Sequence, residues 1–259
     1  AVSGNWTTNR TFNVTDGSHV SDCTNITLSG DYILNQSVSS SRTCFNILVE
    51  DVILDCNGYS INFSSSYAGM GIYSNSSNTT IKNCIIKQSA YMGDSYGIEF
   101  DGANNGRIDN NSIFTLSISL WLRYGQGIYI RNSDNNSITN TNATSFGFYS
   151  NGLLFDGSNY NNVTNFKVSG GSNGIGVAGV GDIYLPSNYN NFVNVSVIVP
   201  RYSLYFYSNS NHNNFTNCYF ESTGETALYG DWSEQNSFFN TVLSGINSAY
   251  ISQYGVEYN

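Results

Sequence analysis

Two aspartates with an arginine between them have the clearest chemical potential in this chain. Asp101, Arg131 and Asp156 follow one another at intervals of 30 and 25 residues, after Asn75. A pair of carboxylates can cleave a glycosidic bond. One protonates the leaving oxygen, the other attacks the sugar or activates water, and their separation decides the stereochemistry. An arginine set between them more readily closes a charge ladder. Two positions earlier in each interval stand Tyr73, Glu99, Tyr129 and Leu154, and the series continues with Gly176, Tyr205 and Tyr229. Tyr73, Tyr129, Tyr205 and Tyr229 are candidates for stacking against sugar rings. The competing use of such rings is to stack on one another and stiffen a sheet. Metal chemistry is not expected: there are 2 His, 2 Met and 5 Cys, with no zinc-type spacing. No cofactor is expected either.

These columns exist because the chain repeats. Seven segments open with a small residue and an aliphatic one: Gly71-Ile72, Gly97-Ile98, Gly127-Ile128, Gly152-Leu153, Gly174-Ile175, Ser203-Leu204 and Ala227-Leu228. Each is followed by an Asn-rich turn, an apolar residue, a spacer and an asparagine. Those asparagines are Asn83, Asn110, Asn140, Asn165, Asn194, Asn217 and Asn240, with Asp55 as an earlier copy. From Asp55 the intervals are 28, 27, 30, 25, 29, 23 and 23 residues. Short Val, Ile, Phe and Tyr runs broken by Gly, Asn and Ser read as strands and turns, and the period is too short for a propeller blade. One turn of a parallel β-helix fits, with successive turns about 4.8 Å apart. The asparagine column then forms a ladder of stacked amides, at corners where asparagine tolerates a left-handed backbone. The fold expected is all-β: a single-domain right-handed parallel β-helix of about nine irregular coils.

The stretch Cys23–Ile61 carries Asp31-Tyr32-Ile33-Leu34, Thr43-Cys44-Phe45-Asn46-Ile47 and Val52-Ile53-Leu54-Asp55-Cys56-Asn57-Gly58-Tyr59-Ser60-Ile61. It resembles the opening coils of secreted right-handed β-helix proteins of the carbohydrate-binding and sugar-hydrolase group. That group also includes the periplasmic copper-site maturation factor of nitrous oxide reductase, to which the chain is similar in the same way. The resemblance implies the fold and leaves function open, because such proteins include lyases, hydrolases, epimerases and inert surface proteins. The polygalacturonase pattern of adjacent aspartates with Gly-His-Gly is absent, as is the Asp-Pro-His-Glu motif of alginate epimerases. No lysine or arginine base sits within a calcium-binding acidic cluster.

Composition narrows the setting. Of 259 residues only 10 % are charged, against about 25 % ordinarily, while 39 are Asn. The formal charge of −9 argues against nucleic acid and anionic membrane surfaces as partners, and no run of about 20 apolar residues offers a membrane span. The first residue, Ala1, suggests a removed secretory signal. Acceptor sequons for N-glycans stand at Asn5, Asn9, Asn13, Asn25, Asn35, Asn62, Asn75, Asn78, Asn110, Asn135, Asn142, Asn162, Asn194 and Asn214. Cys56 and Cys84 each follow a ladder position in adjacent coils, at a separation a disulfide tolerates. Cys23 and Cys44 are left to close the first coils, and Cys218 is left over as a buried small residue.

The domain reading is residues 1–20 as an N-terminal cap or extended arm, 21–248 as the β-helix and 249–259 as a C-terminal cap segment. The function expected is a non-catalytic, glycosylated, secreted structural or adhesive protein at the cell surface. Its ends would associate into a filament, since only they expose strand edges. The alternative is a polysaccharide-binding or polysaccharide-degrading β-helix.

Overall fold

Runs of Ile, Val, Phe and Tyr too short to make a helical turn become strands of two to seven residues. The computed structural model describes residues 18–117, 125–147, 149–177, 185–252 and 256–258. One coil shows the plan. Ser95–Asp101 lies in the first sheet, Arg107–Asp109 in the second and Ser112–Leu116 in the third. The chain then returns as Gly125–Arg131, paired in parallel with Ser95–Asp101. The three sheets hold 10, 11 and 9 strands, every pairing is between neighbouring coils, and nine coils among the described residues carry all three strands.

The repeat register read from the sequence is the register of the first sheet. Ile72, Ile98, Ile128, Leu153, Ile175, Leu204 and Leu228 lie opposite one another and point into the core. The glycine before five of these seven aliphatics has a steric cause: a methyl group on Gly97, for example, would run into Ile113 of the third sheet and the carbonyl of Gly127. Farther along, phenylalanines fill the core. Phe192, Phe215 and Phe238 stack with ring centroids 4.5 and 4.9 Å apart.

The corner between the second and third sheets is set by the asparagine column. Asn83, Asn110, Asn140, Asn165, Asn194, Asn217 and Asn240 all have φ between 47° and 57°. Side-chain amides link Asn110 to Asn83 (2.8 Å), Asn165 to Asn140 (3.1 Å), Asn194 to Asn165 (3.3 Å) and Asn240 to Asn217 (2.7 Å). The column is interrupted at Asn140, whose amide donates to Asp109 Oδ1 at 3.1 Å instead of to Asn110. Asp55 is not in register with it. Leu54 pairs with Ile81 and Asp55 with Lys82, because Asn57 and Gly58, both at positive φ, enlarge this corner. Asp55 still accepts from Asn83 at 2.9 Å.

A second, buried amide ladder at the corner before the second sheet was not anticipated. Asn136, Asn161, Asn190, Asn213 and Asn236 are at most 1 % exposed. The backbone N–H of each donates to the side-chain oxygen of the next, from Asn136 to Asn236, at 2.8–2.9 Å. The Nδ2 atoms of Asn190, Asn213 and Asn236 reach the carbonyls of Ser158, Ser187 and Ser210, each at 3.0 Å. The recurring tetrads Ser158-Asn159-Tyr160-Asn161, Ser187-Asn188-Tyr189-Asn190 and Ser210-Asn211-His212-Asn213 mark it in the sequence.

Cys23–Cys44 and Cys56–Cys84 are disulfide-bonded, with Cα atoms 4.5 and 4.8 Å apart, and Cys218 is free and buried. The solenoid does not stop at residue 248. Asn247–Ser252 pairs with Thr226–Asp231 and Val256–Tyr258 with Asn236–Phe239, so the segment taken as a C-terminal cap continues the stack as part of another coil. Repeat spacing could not show this, because the segment lacks the asparagine signature. At the other end Ser18–Val20 pairs with Gly30–Leu34. The rest of the N-terminal cap or arm, with Asn5, Asn9 and Asn13, lies outside the described residues.

The two ladders differ in consequence. Asn190→Leu strips a buried N–H of its acceptor and a buried carbonyl of its donor, so unfolding in urea should show a loss of about 3 kcal/mol. Asn165→Leu, at the exposed corner, should cost about 1 kcal/mol. Equal losses would mean that burial does not separate the two columns.

Candidate functional site

On the outer face of the first sheet three columns of side chains run down the stack. The one nearest the strand starts holds Tyr96, Gln126, Asn151 and Asn173. The middle one is the anticipated series Tyr73, Glu99, Tyr129, Leu154, Gly176, Tyr205 and Tyr229. In the third, Asp101, Arg131 and Asp156 are direct neighbours, as their spacing suggests.

The tyrosines are not an open platform. Tyr129 and Tyr205 are 8 % and 5 % exposed and form, with Leu154, an apolar cluster outside the main core. Tyr96 packs edge-on against Tyr129 at 5.3 Å. Tyr205 lies over Gly176, where a side chain would collide with its hydroxyl. Tyr229, packed against the edge of the cluster, and Tyr73, farther along the column opposite Glu99, remain partly exposed. Thus the column holds a self-packed aromatic patch with accessible rings only at its edges.

The charge ladder is not closed either. Arg131 is exposed, and no ion pair joins it to Asp101 or Asp156. Asp156 turns inward and accepts from the Tyr129 hydroxyl at 2.9 Å. Burial raises the pKa of Asp156, with the Tyr129 bond and Arg131 opposing. The residue with most chemical potential is one that spacing had placed only among the tyrosines. Glu99 is 5 % exposed, and its Oε2 has no hydrogen-bond partner. Burial, and then the charge of Asp101, raise its pKa from 4.5 to about 7, against the pull of Arg131. Its outward position between inward Ile98 and Phe100 gave the sequence signal: a lone acid in an otherwise aromatic or aliphatic column.

The other expected sites are placed as follows. Among the described sequon asparagines, Asn25, Asn35, Asn75, Asn78, Asn110, Asn135, Asn142, Asn162, Asn194 and Asn214 are exposed, and Asn62 is half-buried. His212 stacks on Tyr189 (4.8 Å), and Tyr189 on Tyr160 (5.1 Å), a surface ring column that the sequence reading missed. No group of three or more His, Cys, Asp or Glu among the described residues could hold a metal ion. No helix among them is long and apolar enough to cross a membrane.

Comparison with known proteins agrees with this architecture. The model of the right-handed β-helix region matches residues 70–243. The chain belongs to the right-handed β-helix family. Solved structures of similar form include an alginate lyase from Paenibacillus sp., 13 % identical over 87 % of this chain and 91 % of that one, TM-score 0.47. The Dettilon tailspike protein is 14 % identical, with 90 % of this chain and 60 % of that one covered, TM-score 0.47. The catalytic unit of an α-1,3-glucanase from Streptomyces thermodiastaticus is 11 % identical, with 91 % and 62 % covered, TM-score 0.39. No curated protein matches the chain. Likenesses of this size carry no inference about activity.

The Glu99 carboxyl makes stability depend on pH. Its folded pKa lies above its unfolded one, so folding is favoured below pH 4.5 and loses up to about 3 kcal/mol as pH rises through 7. Glu99→Gln should therefore raise the melting temperature at pH 8 and leave it nearly unchanged at pH 4. An equal effect at both values would contradict a protonated, buried Glu99.

Proposed function

We propose that this β-helix is an extracellular polysaccharide-active protein that binds a glycan across the outer face of its first sheet, with Glu99 as proton donor. The observation that carries the reading is the Glu99 carboxyl, which is buried, has one oxygen free of partners and has its pKa raised by that burial to about 7. Ionisable groups tuned in this way cluster at functional sites. Asp101 lies two residues on, on the same face of the same strand, about 7 Å away along the backbone. That separation leaves room for a water molecule between acid and base, as in inverting hydrolysis. Glu99 would pass its proton to the leaving glycosidic oxygen. Water would lose a proton to Asp101 as it adds to the anomeric carbon, and solvent would return the proton to Glu99. Two disulfides and many exposed sequons support an oxidising, extracellular setting.

The purified protein is to be incubated with neutral and acidic polysaccharides and assayed for new reducing ends. Release should fall as pH rises through about 7, since the acid form of Glu99 is the active one. Glu99→Gln should abolish it, and Asp101→Asn should lower it at least a hundredfold. Release that is unaffected by Glu99→Gln would sink this assignment.

A second reading, the non-catalytic adhesive rod, is favoured by the last full coil, where Phe239, Val242 and Ile246 are 61, 52 and 73 % exposed. Such a surface suits end-on contact with another copy. Fibres in electron micrographs of native material, with no sugar released from any polysaccharide, would put this reading first.

A further inference from the structure

Four buried oxygens on this outer face lack a hydrogen-bond partner: Glu99 Oε2, Asn151 Oδ1, Asp156 Oδ1 and Asn173 Oδ1. Their residues are between 1 and 5 % exposed. The only other such atoms among the described residues are Ser150 Oγ, next to Asn151 in the chain, and Asn136 Nδ2 in the buried corner ladder. Buried polar atoms are almost always paired, and the corner amides show that this chain is well able to pair them. The unpaired set extends from the rung of Glu99 to that of Asn173, three rungs or roughly 14 Å.

All four atoms are acceptors. The two amides can turn and offer their nitrogens, but an ionised Asp156 can only accept, and Glu99 can supply at most one proton. A ligand that completes this face must therefore bring hydrogen-bond donors. An anionic ligand would bring more acceptors and would meet Asp101 and Asp156, with Arg131 the one cation among the described residues of these three columns. The partly exposed rings of Tyr73, in register with Glu99, and of Tyr229, at the edge of the apolar cluster, suit the apolar faces of sugar rings. We propose that this face selects a neutral, hydroxyl-rich glycan and rejects glycans bearing carboxylate or sulfate groups. The inference rests on the reading of this face as the glycan site and does not need Glu99 to be catalytic.

Calorimetry with the wild-type protein, each oligosaccharide being checked for integrity by chromatography afterwards, would compare cellohexaose, mannohexaose and chitohexaose with hexagalacturonate and hexaguluronate. At least one neutral hexaose should bind ten times or more tightly than either uronate, with little dependence on salt. Asn151→Ala and Asn173→Ser should each weaken that binding at least tenfold, while circular dichroism shows the fold retained. Tighter binding of a uronate, lost in Arg131→Gln and in high salt, would overturn the selectivity and leave the glycan site standing. Binding of a neutral hexaose that neither asparagine variant weakens would also overturn the inference, since the orphaned acceptors would then not be what it meets. If none of the five binds, and the wild-type protein releases no reducing ends, the glycan reading fails together with the inference.

Discussion

Stacking in parallel at about 4.8 Å is the constraint on which everything else in this molecule depends. Each coil completes its backbone hydrogen bonds with the coils above and below, so any residue type recurring at one position becomes a continuous column. Asparagine exploits this most fully, because one side chain carries both a donor and an acceptor. At the buried corner Asn161, Asn190 and Asn213 bind both the next side chain and the backbone of an earlier coil, which ties three levels together. The corners are thus held by neutral groups, which explains how a chain with few charged residues keeps sharp, regular turns.

The same constraint creates the outer face. A parallel sheet one layer thick directs alternate residues outward, and stacking brings residues 25 to 30 positions apart into contact. On the first sheet this gathers tyrosines, amides and acids into one patch. The aromatic rings pack on each other, and Glu99 and Asp156 lie buried on the same face. Asp156 is buried beside the Tyr129 hydroxyl, and the Tyr129 ring packs in turn on Tyr96; burial is the largest cause of the raised pKa of both acids. The tyrosines that looked like a ligand platform are better described as the environment that tunes the acids.

The charged columns show how narrow the margin is between structural and chemical use. Elsewhere, Lys82 pairs with Asp55 at 3.3 Å, Arg107 with Asp109 at 2.9 Å and Arg201 with Glu225 at 3.3 Å, all on exposed or half-exposed surface, where such pairs add little stability. Arg131 has two aspartates in register and pairs with neither. Its exposure keeps the guanidinium in solvent, and Asp156 finds a better partner in a buried phenol.

The sequence by itself determined the coil. The recurrence of Gly-Ile and of Asn at intervals of 23 to 30 residues specified parallel strands, the register of the first sheet, the left-handed corners and the disulfide partners, because in a solenoid sequence period and spatial neighbourhood are the same thing. Where a corner grew, as at Asn57-Gly58, counting alone slipped by one residue. Where the signature faded, as beyond residue 248, the repeat was missed although the backbone continues it. Only the tertiary structure decided which outward residues are accessible. Tyr129 and Tyr205 read as exposed because alternation sends them out of the core, yet they are buried by neighbours on the same face. Glu99 read as an interruption of a tyrosine stripe and is instead the most perturbed acid there. Periodicity reports direction from a strand, while burial depends on the size and packing of side chains from several coils at once, and that information exists only in three dimensions.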